Sequence, residues 1–223
     1  MSTTVSFAAL WLIPRLPSFR AAHPAIDVYV SADDRVIDLA RGDVDVAVRY
    51  LTDAGAPRGA VRLFGERLLP VASPALVRRG PPLEAPADLA RHVLIHLDDP
   101  GGTMPWLNWP AWLNSNGPPG LKPIGSVKFS LYDQVIQATV AGQGVALGRI
   151  PLIAEYIADG RLVAPFARRY DSPRGYFAIV APHAAARPEV AAFVAWLRGE
   201  ALRRAGSEAG GTRAPRAAKA ATR

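Results

Sequence analysis

Cysteine is absent from the chain, which excludes disulfide bonds, thiolate nucleophiles and thiolate metal ligands. The sequence also has no apolar run of about eighteen residues or more, so we expect no transmembrane helix. Its N-terminus lacks the basic start and the small-residue cleavage site of a secretory signal. The simplest interpretation is a cytoplasmic protein without membrane contacts.

The motifs of common enzyme classes are missing as well. There is no GxSxG nucleophile elbow and no P-loop, and Gly142, Gly144 and Gly148 precede a predicted strand, not a helix, so they do not form a dinucleotide fingerprint. His92 and His96 are four residues apart but flank a strand-like VLI run, where a helical zinc site cannot form. We therefore predict no catalytic residues, no metal and no cofactor.

Two further features have a structural and a functional interpretation. Asp45 lies in a buried strand, where a paired carboxylate at the strand end is favoured over a catalytic base. Three tryptophans lie close together in the sequence, at Trp106, Trp109 and Trp112. They could stack against a ligand, but we favour a hydrophobic cluster that covers one lobe.

The hydrophobic fraction of 50% is sufficient for a core, and the net charge of +7 is unevenly distributed. Residues 200–223 hold six basic and two acidic side chains, a net +4, and leave +3 for the rest. The terminal run rich in Ala, Gly and Arg has no apolar period, so residues 203–223 are predicted to be a disordered basic tail. Non-specific contact of this tail with DNA phosphates is the less favoured alternative to a solubilising role.

The N-terminal part of the chain predicts alternating strands and helices. In Ser6–Val30 a helix capped by Ser6 is kinked or divided by Pro14 and Pro17, and a strand resumes at Val28 and Val30. A short helix is predicted from residue 33 to 42 and a buried strand from 44 to 48. Right-handed crossovers would make these strands parallel.

The same alternation continues to the final helix, predicted at 188–202. Ser73-Pro74 is a helix start, and Ser130 with Asp133 has the spacing of a capping box. A change of composition near Pro70–Pro74 indicates two α/β lobes, the first formed by residues 1–70 and 182–202 and the second by 71–181. A cleft between such lobes is a natural site for a small ligand.

Five blocks in series resemble the effector-binding domain of LysR-type transcriptional regulators, in the branch of the glycine-cleavage activator. They are SFAALWLIPRLPSFRAAHPAIDV, DLARGDVDVAVRY, LLPVASPAL, ATVAGQGVALGRIPLI and RPEVAAFVAWL, and the resemblance runs from about Ser6 to Leu202. The resemblance implies two Rossmann-like lobes of the type 2 periplasmic-binding-protein kind and a homodimer or homotetramer formed through the effector domains. Such regulators also carry an N-terminal helix-turn-helix, and these residues contain none, so any sequence-specific contact with DNA is expected only through that missing domain.

The resemblance also assigns positions that face the effector. On the first lobe these are Ser6, Ser31, Asp33 and Arg49, and on the second they are Ser130, Tyr132 and Tyr176. Hydroxyl groups and helix N-termini suit an anionic metabolite. The expected function is therefore that of a non-enzymatic effector sensor; the alternative is a two-lobe solute-binding protein.

Overall fold

The structure is a computed structural model that describes residues 1–33, 39, 44–102, 104–118 and 120–209, with side chains described up to residue 203. The short helix predicted from residue 33 to 42 falls largely outside the described residues. The same holds for residues 210–223 of the predicted tail.

Eight strands form one mixed sheet in the order β2-β1-β3-β8-β4-β7-β5-β6. Their bounds are β1 Ser2–Thr3, β2 Ser31–Ala32, β3 Val46–Thr52, β4 Val61–Val71, β5 Val93–Leu97, β6 Gly125–Phe129, β7 Val145–Ile150 and β8 Tyr170–Val180. The pairs within β1–β3 and within β5–β7 are parallel, as the alternating pattern predicts. The pairs of β8 with β3 and β4, and of β4 with β7, are antiparallel.

The two long strands β4 and β8 join the parallel parts of the sheet. Each has 11 residues, and they pair with one another at the centre, with β-bulges in the register. Residues 61–71 form the one continuous strand β4. Side chains from both parallel parts therefore converge on this pair of strands.

Helices cover the sheet. Their bounds are α1 Val5–Phe7, α2 Leu16–Ala22, α3 Pro74–Arg79, α4 Trp109–Asn116, α5 Tyr132–Val140, α6 Ala154–Ala158 and α7 Pro188–Ala209, with a π-helix at Ala8–Leu12 and 3-10 turns at Asp53–Gly55, Pro86–Arg91, Pro105–Leu107 and Pro182–Ala184. Pro17 lies in the first turn of α2, and a turn at residues 13–15 separates α2 from the π-helix, so the two prolines divide the helix as predicted. Helix α7 extends to Ala209, beyond the predicted start of the tail at residue 203.

Two predicted helix caps are wrong. Ser6 is the second residue of α1, and the Oγ1 of Thr4 instead accepts the hydrogen bond from the backbone N–H of Phe7. Ser130 precedes Leu131, which is the N-cap of α5 and offers no side-chain hydrogen bond. The strand predicted at Val28–Val30 is also displaced, because β2 begins at residue 31.

The buried side chains form two clusters. The larger packs the N-terminal helical segment, α5, α6 and α7 against the sheet, around fully buried residues such as Trp11 and Phe19. The smaller lies beside β5 and β7 and contains Trp109 and Trp112 with Leu89 and Leu94. Two of the three tryptophans therefore form the hydrophobic cluster that the sequence analysis favoured. No helix in the described ranges combines the length and the apolar character needed to cross a membrane.

Candidate functional site

An ion pair is buried where β4 and β7 meet at the centre of the sheet. The Nε of Arg149 donates to the Oε1 of Glu66 over 2.8 Å, and the side chains are 6% and 0% exposed. Glu66 lies on the long strand β4 and Arg149 near the end of β7, so the pair connects the central strands to the second parallel part of the sheet. Burying two charges costs desolvation energy, which makes this pair the most unusual polar feature of the described fold.

Tyrosine hydroxyl groups complete the hydrogen bonds of the ion pair. The Nη2 of Arg149 donates to the hydroxyl of Tyr176 over 2.8 Å, and that hydroxyl lies 3.4 Å from the Oε1 of Glu66. The hydroxyl of Tyr50 donates to the Oε2 of Glu66 over 2.6 Å and shares a hydrogen bond of 2.6 Å with the Oγ of Ser172. Both carboxylate oxygens of Glu66 therefore accept hydrogen bonds.

Two aromatic rings lie against the guanidinium. The Cζ of Arg149 is 5.0 Å from the ring centres of both Tyr50 and Tyr132, a distance at which cation–π attraction contributes. The hydroxyl of Tyr132 accepts from the backbone N–H of Arg149 over 2.7 Å and donates to the carbonyl oxygen of Leu147 over 3.0 Å. Helix α5, which carries Tyr132, is thereby fixed to β7.

Burial and charge together set the protonation of this cluster. Burial lowers the pKa of Arg149, but the negative charge of Glu66 and the neighbouring tyrosines outweigh it, so the pKa lies above its ordinary value. Burial is the main reason why the pKa values of Tyr50, Tyr132 and Tyr176 are raised. The site therefore offers a charged guanidinium and neutral hydroxyl groups that can donate and accept.

An outer layer covers the Tyr50 side of the cluster. The indole Nε1 of Trp106 donates to the hydroxyl of Tyr50 over 3.3 Å, and the Cζ of Arg174 lies 4.4 Å from the Trp106 ring centre. Trp106 is therefore not part of the hydrophobic cluster that contains Trp109 and Trp112. Its indole group contacts the polar site instead.

Two cavities adjoin the ion pair. A cavity of about 20 Å³, enough for one water molecule, is lined by Arg149 and Tyr132 and by Asn108 from the start of α4. A groove of about 460 Å³ is lined by Glu66 and Ser172 among others, and its volume is within the range of small-molecule sites.

The structure divides the seven sequence-predicted site residues. Tyr132 and Tyr176 both belong to the buried cluster. Ser6 lies in α1, next to Phe7, whose ring stacks on that of Tyr176 with centres 5.3 Å apart. Ser130 is exposed and lies between the end of β6 and Leu131, the N-cap of α5.

The remaining three predicted residues lie around β1. Ser31 pairs with Ser2 in the parallel register, and the Nη2 of Arg49 donates to the Oγ of Ser2 over 2.9 Å. Burial lowers the pKa of Arg49, and the charge of Asp33 opposes this effect. Because side chains alternate along a strand, Arg49 points to the face of the sheet opposite to that of Tyr50. These residues therefore do not join the buried cluster.

Sequence reasoning missed three members of the cluster, namely Glu66, Arg149 and Tyr50. A signal was present, because the charged residues stand inside otherwise apolar strands, in FGERLLP and GVALGRIP. Lys, Arg, Asp and Glu are almost never fully buried unless they are paired. The partners are 83 positions apart in the sequence, and nothing in the sequence indicated that they pair with one another.

Two other sequence predictions concern surface groups and metals. The Oδ1 of Asp45 lies 2.7 Å from the Nη1 of Arg187, so the paired carboxylate at a strand end is confirmed. Within the described residues, no group of three His, Asp or Glu side chains could hold a metal ion.

Comparison with known proteins adds independent information. A family model described as LysR substrate binding domain matches residues 1–202. The chain is 35% identical over 201 residues to the glycine cleavage system transcriptional activator of Escherichia coli K12, and 30% identical over 200 residues to the transcriptional activator AmpR of Rhodobacter capsulatus. In both cases 90% of this chain is covered, but only 64% and 65% of the relative, so the chain spans about two thirds of their length.

Solved structures show the same similarity. The effector domain of the transcriptional regulator AmpR of Pseudomonas aeruginosa matches with a TM-score of 0.70 and 28% identity, over 93% of this chain and 97% of that domain. The regulatory domain of CrgA, a LysR-type regulator of Neisseria meningitidis, matches with a TM-score of 0.65 over 89% of this chain and 96% of that one. At 22% identity the second likeness concerns the fold alone.

Proposed function

Since the chain belongs to the LysR substrate-binding domain family, we propose that it is the effector-sensing domain of a LysR-type transcriptional regulator. In this proposal a small metabolite binds between two lobes, residues 1–70 with 182–202 and residues 71–181. No catalytic step is involved. The domain would respond to the metabolite by a change in the relative populations of its conformations.

The observation that carries the proposal is the buried cluster around Glu66 and Arg149. It joins β3, β4, β7 and β8 at the junction of the proposed lobes, and it includes Tyr132 and Tyr176. A buried ion pair stabilises a fold no better than well-packed apolar side chains, so its presence at this junction favours a role in binding or switching.

The other proposed effector contacts surround this cluster. Ser6 and Ser130 would provide hydroxyl groups near the starts of α1 and α5, and Ser31, Asp33 and Arg49 would form the outer wall near β1. The uncapped N-terminus of α5 and the charge of Arg149 would favour an effector that carries a carboxylate or another anionic group.

The regulator as a whole would act in the cytoplasm as a homodimer or homotetramer. Its effector domains would pair with one another, and contact with DNA would be made by a helix-turn-helix domain outside these residues. Effector binding would change the arrangement of the oligomer and thereby transcription.

A thermal-shift screen of the chain against metabolites of several chemical classes tests the proposal. We expect at least one small metabolite to raise the unfolding midpoint, and Ser6→Ala and Ser130→Ala to reduce that shift while circular dichroism remains unchanged. Ser115→Ala, on the exposed side of α4, is the matched control and should respond like the wild type. The proposal fails if no metabolite stabilises the wild-type chain, and the pocket assignment fails if both serine variants respond normally.

A further inference from the structure

The buried cluster is electrically balanced as it stands. The positive charge of Arg149 faces the carboxylate of Glu66, and the contacts described above add neutral hydroxyl groups, aromatic rings and backbone groups. Any ligand that enters between the two side chains must preserve this balance. The removal of one partner of a buried ion pair leaves an uncompensated charge, which is strongly unfavourable.

On the basis of the proposed function, we propose that the effector is a zwitterion that inserts into the Glu66–Arg149 pair. Its carboxylate would bind the guanidinium of Arg149, and its ammonium group would bind the carboxylate of Glu66. Both buried charges would then exchange one partner for another, and neither would be stranded. Small amphoteric molecules such as α-amino acids have this chemistry.

A ligand with a single charge can pair with only one of the two buried charged side chains. A carboxylic acid without an amine would occupy Arg149 and leave Glu66 with only the hydroxyl of Tyr50 and that of Tyr176 as donors. An amine without a carboxylate would neutralise Glu66 and leave Arg149 without its counter-ion. In each case the cost of an unpaired buried charge opposes the gain from the new contact.

The tyrosine hydroxyl groups can form hydrogen bonds both with the ion pair in the free protein and with the ligand in the complex. Each hydroxyl both donates and accepts, so Tyr176 can accept from Arg149 in the free protein and donate to a ligand carboxylate in the complex. Tyr50 can keep its hydrogen bond to Glu66 while Ser172 supports it from the other side. The rings of Tyr50 and Tyr132 hold the guanidinium in place and leave its edge for a carboxylate.

Space beside the pair lies on the Arg149 side. The cavity of about 20 Å³ is lined by Arg149, whereas Glu66 borders the groove of about 460 Å³ but its carboxylate is fully buried. The smaller cavity must widen to hold more than a water molecule. Ligand insertion would therefore require β7 and α5 to move relative to β4.

A three-way comparison of probes on the wild-type chain tests the inference. Each standard amino acid is compared with the carboxylic acid that lacks its amine and with the amine that lacks its carboxylate, at equal concentration. We expect at least one amino acid to raise the unfolding midpoint by about 5 °C or more at about a hundredfold excess over its Kd, and both of its single-charge analogues to be inactive. An equal response to the acid or to the amine overturns the inference.

Charge-neutralising variants give a second readout that a purely structural pair would not produce. Glu66→Gln should lower the affinity for the amino acid at least about tenfold and make the deaminated acid the preferred ligand, because Arg149 then needs an anion. Arg149→Gln should shift the preference to the amine. Glu189→Gln removes an exposed ion pair with Arg187 and is the matched control, with wild-type selectivity expected.

The outcomes separate this inference from the proposed function. If an effector found in the broad metabolite screen is uncharged or carries a single charge, the sensor proposal stands and the zwitterion inference is wrong. If no metabolite of any class binds, the sensor proposal itself is wrong. If either variant does not fold, the wild-type comparison of the three probe classes decides alone.

Discussion

The Nη2 of Arg15 lies 2.6 Å from the Oε1 of Glu155, and this contact joins the N-terminal helical segment to α6. Arg15 also donates through Nη1 to the carbonyl oxygen of Trp11 over 2.7 Å, and its Cζ lies 4.7 Å from the Trp11 ring centre. Its side chain is 7% exposed, whereas that of Glu155 is 33% exposed. The arginine is therefore the more buried partner, and its side chain also contacts Trp11.

This asymmetry predicts different costs for the two single substitutions. Glu155→Gln should lower the free energy of unfolding by about 1 kcal/mol, because the partly exposed pair is screened by solvent. Arg15→Ala should cost about 2–3 kcal/mol, because it also removes the hydrogen bond to Trp11 and the packing on its ring. Urea denaturation of both variants checks the prediction, and equal costs would contradict it.

We expect alanine substitutions at two glycines, one in the sheet and one in the last helix, to change the stability of the fold in opposite directions. At Gly175 on β8 an added Cβ would lie 2.5 Å from the carbonyl oxygen of Phe64, a backbone atom that cannot move without disturbing the pairing with β4. Gly175→Ala should therefore destabilise the fold by roughly 2 kcal/mol or more. At Gly199 on α7 nothing lies within 4 Å, so Gly199→Ala should stabilise it by about 0.5–1 kcal/mol. Thermal or urea unfolding of the matched pair should show the two signs; a stable Gly175→Ala variant would be inconsistent with the close approach of the strands.

The hydroxyl of Tyr176 contributes to stability through the buried guanidinium. Tyr176→Phe removes the acceptor of the hydrogen bond from Arg149 and leaves that donor unsatisfied in the core, which should cost about 1–3 kcal/mol. Tyr29→Phe is the control, since Tyr29 is 81% exposed and should be near neutral. Equal denaturation midpoints for the two variants would show that the hydroxyl of Tyr176 does not stabilise the cluster.

His96 predicts a dependence of stability on pH. Burial, with a smaller contribution from the positive charge of Lys128, lowers the pKa of His96 in the folded chain. The unfolded chain then binds a proton near pH 6.5 that the folded chain does not bind, so stability should fall as the pH decreases through about 6.5 and be unaffected above it. Denaturation at pH 7.5 and 5.5 should show this loss in the wild type, a smaller loss in Lys128→Gln and the smallest in His96→Gln. An unchanged loss in His96→Gln would assign the dependence to another group.

Local signals in the sequence were sufficient for much of the fold. The Oγ of Ser73 caps α3 by accepting a hydrogen bond from the backbone N–H of Leu76, as the Ser-Pro pair predicts, and the prolines near residue 15 divide the first helix. The α/β fold of the periplasmic-binding-protein type is also confirmed, by the mixed sheet and by the likeness to LysR effector domains. These features depend on residues that are close in sequence, or on five blocks recognisable together.

The centre of the site depended on contacts that no local pattern contains. Ser6 and Thr4 are both of residue types that cap helices, and the position where β1 ends decides that Thr4 caps α1. The side of the sheet that Arg49 faces depends on the register of β3 against β8. Glu66 and Arg149 are brought together by the antiparallel pairing of β4 with β7, which requires the whole chain between them to fold.

The position of β8 between β3 and β4 has a consequence for how the chain acquires its fold. Synthesis delivers the strand at residues 170–180 after the other seven, yet this strand fills the middle of the sheet. Until it arrives, the inner edges of β3 and β4 have no partner and can associate with other chains. Contacts between residues so far apart in sequence also slow folding. We therefore expect a nascent chain that ends before residue 170 to be prone to aggregation, and the sheet to close cooperatively once β8 is available.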